Sequence, residues 1–117
     1  MPSHIFTRLG HWQESIAANR ASIAAAGEAT FDGHHGYDYM VYAHLQLGQD
    51  QAARQVSAHA RSLATKPDHV AAAYAFAAMP ARIALERGAW AEAASLPLDP
   101  PADSYPWRKY PQAVAVN

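Results

Sequence analysis

Between Asp32 and Gly48 the chain carries His35, Asp38, Tyr42 and Gln46. Successive gaps of three, four and four residues put all four on one stripe of a helix. An imidazole and a carboxylate one turn apart suit ligation of zinc or a similar ion, and His4 offers a further nitrogen donor. The same residues have simpler uses: His35 as a helix cap, Asp38 as the partner of an arginine, His4 as a hydrogen-bonding group. No His-Glu-x-x-His stretch, Gly-x-Ser-x-Gly elbow or glycine-rich phosphate loop with lysine is present. Gly33-His34-His35-Gly36 has the glycines, but two imidazoles between them obstruct a phosphate cradle. With no cysteine, disulfides, thiolate catalysis and cysteine-ligated zinc are excluded. The residues therefore carry no catalytic set and call for no cofactor. Metal binding stays open only for His4, His35 and Asp38.

The remaining histidines read as structural. His11 and His69 sit at turns, where capping suits them. His44 falls on the packing side of its helix, and His59 and Asp68 belong to an outer helix or its loop. Tyr37, Tyr39 and Tyr74 are spaced as core residues. A chain of 117 residues is one domain by length. Half its residues are hydrophobic, but many are alanine, which favours helices packed closely over a thin core. A formal charge of −1 gives no long-range attraction for nucleic acid or an anionic membrane. The run from Val70 to Ala81 is too short to span a bilayer, and Met1-Pro2-Ser3-His4 lacks signal-peptide character. A cytoplasmic protein is expected.

Periodicity and punctuation divide the chain into helices. Ile5, Phe6 and Leu9 share a face, Pro2 suits a first turn, and Gly10 stops this helix. A second helix runs from Trp12 to about Ala26. Glu28 to Gly33 reads as a loop, and a third helix runs from Asp32 to Leu47, capped by Asp32 or His34 and closed by Gly48. A fourth starts at Asp50, with Ala53, Val56, Ala60 and Leu63 on one side. A fifth, capped by Asp68, runs from His69 towards Arg87 with Pro80 inside it. A sixth covers Trp90 to Leu96. From Pro97 onwards five prolines alternate with Tyr105, Trp107 and Tyr110, which predicts an extended segment laid on a helical surface.

Three stretches align on their glycines: Leu9-Gly10-His11-Trp12-Gln13-Glu14-Ser15, Leu47-Gly48-Gln49-Asp50-Gln51-Ala52-Ala53 and Arg87-Gly88-Ala89-Trp90-Ala91-Glu92-Ala93. Each sets a glycine between two helices and a small residue five positions later, where helices must approach. Trp12 and Trp90 are expected to fill the space between paired helices. The pattern resembles the tetratricopeptide repeat family, with Asp50 where an aromatic is usual and repeats longer than that family's 34 residues. More narrowly, Met1 to Trp12, His35 to Arg54 and Met79 to Trp90 resemble the C-terminal half of a group of bacterial tetratricopeptide-type proteins without established activity. The resemblance implies an all-α, right-handed solenoid of about three hairpins (about 1–27, 34–65 and 68–96) with a proline-rich tail (97–117). Against that pattern the first helix is clipped and the one after Gln112 barely begun. Solenoid ends of this kind need covering, so self-association or a fragment is expected.

In this family the first helices of successive hairpins line a peptide-binding groove, at positions 13, 10, 6, 3 and 2 before the turn glycine. The resemblance thus implies a lining of His4, Thr7 and Arg8, then His35, Asp38, Tyr42, Leu45 and Gln46, then Ala75, Ala78, Arg82, Leu85 and Glu86. An Arg8–Glu86 pair would form only if curvature brought them together. The leading expectation is a non-catalytic module that binds a peptide or partner protein in this polar groove. The alternatives are a self-associating subunit, as a homodimer, and a metal-binding or enzymatic protein using the groove histidines and aspartate.

Overall fold

The computed structural model describes residues 2–63 and 70–97. The described residues form six helices and no strand: α1 (Pro2–Leu9), α2 (Trp12–Ala26), α3 (Phe31–Gln46), α4 (Asp50–Ser62), α5 (Val70–Glu86) and α6 (Trp90–Ala94). None is long and apolar enough to cross a membrane. Asp68, His69 and the segment 98–117, with the expectations attached to them, lie outside the described residues.

The three glycine turns have one geometry. Gly10, Gly48 and Gly88 sit at φ 76°, 71° and 61°, a left-handed conformation that costs glycine least. At each turn the glycine N–H donates to the carbonyl three residues back (Thr7, Leu45, Leu85), and the next N–H to the carbonyl five back (Phe6, His44, Ala84). This double bond pattern satisfies the last carbonyls of one helix while reversing the chain. The following helix then opens on a bond to the residue after the glycine, from Ser15 to His11, Ala53 to Gln49 and Ala93 to Ala89. His11 occupies an N-cap position but makes no side-chain cap bond, contrary to the capping role the sequence suggests.

Each turn pairs two helices, α1 with α2, α3 with α4, and α5 with α6. α3 is the hub, touching α1, α2, α4 and α5. The core runs along it, from Ile16 and Ile23 on α2, through Tyr37, Met40, Val41 and Leu45, to Phe76, Met79 and Ile83 on α5. The second and third pairs are also joined by ions: Arg87 to Asp50 and Arg54 to Glu92. Arg87 further donates to the Leu45 carbonyl at 2.8 Å, so Asp50 replaces the aromatic of the other turns with a polar tie.

Two expectations about α3 are corrected. The helix begins at Phe31, and its cap is Thr30, whose hydroxyl accepts from the Gly33 N–H at 3.1 Å; Asp32 and His34 lie inside the first turn. Gly33, read as the end of a loop, is helical, and both it and Gly36 serve packing. A side chain at Gly33 would meet the Gly27 and Glu28 carbonyl oxygens, and one at Gly36 would meet Ile23 on α2. In α5 the helix passes through Pro80, which leaves the Phe76 carbonyl without its usual donor four residues on.

Candidate functional site

α1, α3 and α5 contribute the stripe residues, and two polar clusters stitch these helices together. The first joins α1 to α3. His4 Nε2 and His35 Nε2 lie 3.0 Å apart, so one ring carries the proton and the other accepts it. The ring planes are nearly perpendicular with centroids 5.1 Å apart, so the nitrogens face each other almost head-on. Tyr39 stacks on His4 at 4.3 Å and meets His35 edge-on, while Phe31 stacks on His35 at 5.9 Å.

The pKa of His4 is lowered, first by burial, then by the His35 imidazole and by nearby positive charge including Arg8. Above the ordinary value of 6.5 the ring is neutral in folded and unfolded chains alike. As pH falls below it, the unfolded chain takes up the proton first, so stability falls until the folded value is also passed. Urea unfolding between roughly pH 7.5 and pH 5 should therefore show a steeper loss in the native chain than in His4→Asn. Equal slopes would contradict this assignment.

The second cluster joins α3 to α5. Asp38 is 2 % exposed and accepts from Arg82 through both oxygens, Nε to Oδ1 at 2.8 Å and Nη2 to Oδ2 at 3.2 Å. Burial works against the Arg82 charge, but hydrogen bonding and attraction from Asp38 outweigh it, so its pKa is raised. The guanidinium also lies over Tyr42, 5.6 Å from the ring centre. Tyr42 in turn takes Trp12 edge-on at 5.6 Å. A residue six positions before the turn glycine thus sits at each junction: His4, Tyr42 and Arg82.

Arg8 and Glu86 are exposed on α1 and α5, with half-buried Gln46 on α3. α1 and α5 do not touch, and no Arg8–Glu86 pair forms among the described residues. Leu45, Ala75 and Ala78, expected to line the groove, are buried; of the positions expected to line it on α5, Arg82, Leu85 and Glu86 reach solvent. Both Asp38 oxygens are engaged by Arg82. Among the described residues no three His, Asp or Glu side chains converge as a metal site, and the His4 and His35 nitrogens lie within hydrogen-bond distance of each other. His44 is buried, with Nδ1 2.7 Å from Gln49 Oε1. His59 is exposed and reaches Glu28 at 3.3 Å.

The sequence reading missed Phe31, Tyr39 and Trp12 as members of this site. Phe31 and Tyr39 lie four residues either side of His35, a helical spacing that would have linked them to it. Tyr39 is half-buried against His4 where full core burial is expected from its spacing. Trp12 packs against the core, but Trp90 is 69 % exposed, which corrects the expectation that both indoles fill inter-helix space. Comparison with family models, curated proteins and solved structures finds no match.

Proposed function

We propose that the chain is a right-handed, tetratricopeptide-like array of about three hairpins, and that it acts as a non-catalytic interaction module. Its ligand is an extended peptide segment of a partner protein, laid across α1, α3 and α5. One observation carries this reading: His4–His35 and Asp38–Arg82 fasten three helices side by side, while the Arg8, Gln46 and Glu86 side chains beside them make no hydrogen bond or ion pair among the described residues. The fastened pairs make a rigid floor, and preorganised polar groups bind with less entropy loss. Arg8, Gln46 and Glu86 supply a donor, an amide and an acceptor for a peptide backbone and its polar side chains.

The test begins with random peptides selected on the native chain. Selected peptides should bind Gln46→Ala and Glu86→Ala roughly fivefold more weakly, the loss of about one net hydrogen bond. Gln55→Ala, exposed on α4, should bind as the native chain does. Equal binding by all three variants would overturn the groove assignment.

A further inference from the structure

The repeated turn register shows which faces point to a neighbouring hairpin. On α3, Gly36 receives the Ile23 side chain and Tyr39 stacks on His4, both in the first hairpin. Helical spacing continues that face through Ala43 and Leu47. Counted from the turn glycine, Ala43 corresponds to Ile83 on α5 and Ile5 on α1, and Leu47 to Leu9. Ala43 and Ile83 are buried, at 0 % and 4 %, whereas Ile5 and Leu9 are 63 % and 65 % exposed. The α1 face that matches an internal junction is therefore apolar and open.

The opposite end has the matching feature. Two residues after the turn glycine, Trp12 packs on Tyr42 and Asp50 pairs with Arg87, each in the following hairpin. The third member of this set is Trp90, which is 69 % exposed. Arg87, the partner of Asp50, stands one residue before its glycine, and Leu9 is its counterpart on α1. Where the internal junction joins two ions, the two ends of the described helical array present two apolar groups in the same register.

We infer that copies of this chain associate head to tail, with Trp90 of one copy packing on the Ile5 and Leu9 face of the next. The partner is a second copy because this contact continues the hairpin-to-hairpin interface already built within the chain. Such a heterologous contact leaves one open face at each end of a two-chain species, so assembly proceeds beyond two chains as concentration rises. The inference rests on the turn register and is independent of the groove.

Sedimentation velocity over a concentration series tests it with the native chain, Leu9→Glu and Trp90→Glu. The native mass should climb past two chains, and each variant alone should remain a single chain. An equimolar mixture should form a species of two chains and nothing larger, because each variant keeps one intact end. A native chain that stays single, a closed dimer that does not grow, a dimer of either variant alone, or a mixture without recovery would overturn the inference. Both sites are exposed, so helical circular dichroism should persist; if a glutamate variant lost it, Leu9→Gln and Trp90→Gln carry the same test.

Discussion

Arg82→Ala should destabilise the fold by about 3 kcal/mol, the low end for breaking a buried ion pair. Truncation leaves the Asp38 carboxylate, 2 % exposed, without the two bonds that satisfy it. The low end applies because the Arg82 side chain is 34 % exposed, so water can reach the vacated position. Arg82→Ala is therefore a poor probe of ligand binding, since it weakens the floor of the proposed groove. Replacing both partners, as Asp38→Leu with Arg82→Met, removes the stranded charge and should recover most of the loss. Urea denaturation of both single variants and the double variant measures this. A double variant as unstable as the summed singles would show that Asp38 and Arg82 do not act as a pair.

The other large effect belongs to glycine. A Cβ on Gly33 would stand 2.5 Å from both the Gly27 and Glu28 carbonyl oxygens. These are backbone atoms, and neither can rotate away without moving the loop that leads into α3. Gly33→Ala should cost roughly 3 kcal/mol, the upper part of the range for overpacking. At Gly36 the Cβ would meet Ile23 Cγ1 at 2.8 Å and Cδ1 at 3.1 Å, a side chain that can change rotamer. Gly36→Ala also gains about 1 kcal/mol of helix propensity, so its net cost should be smaller, about 1–2 kcal/mol. Thermal unfolding should rank Gly33→Ala below Gly36→Ala, with the native chain highest. The opposite order would refute the packing described at the start of α3.

How far the sequence speaks depends on whether a feature is local. Gly10, Gly48 and Gly88 mark turns that each need a positive φ, a demand met within a few residues, and the helices on either side follow from it. Gly33 and Gly36 carry the same letter for a different reason. They allow close approach of the Gly27–Glu28 loop and Ile23, which no local pattern announces, so a helical turn reads as a loop. Thr30 gives no clear cap signal for the same reason, since the helix starts before Gly33. The stripe of His35, Asp38, Tyr42 and Gln46 was legible from spacing alone. Its depth was not: spacing assigns a face, while burial of Asp38 depends on Arg82, 44 residues away. Nor could counting back from a glycine show that Leu45, Ala75 and Ala78 turn inward, or that Arg8 and Glu86 stay apart.

The proposed peptide surface is the stripe across α1, α3 and α5. Amide chemical-shift mapping of the 15N-labelled chain, titrated with a selected peptide, tests it most directly. The shifts should cluster around His4, Arg8, His35, Tyr42, Gln46 and Glu86 and spare the outward face of α4 around Gln51 and Gln55. Saturable shifts centred on α4, with the stripe unmoved, would contradict it.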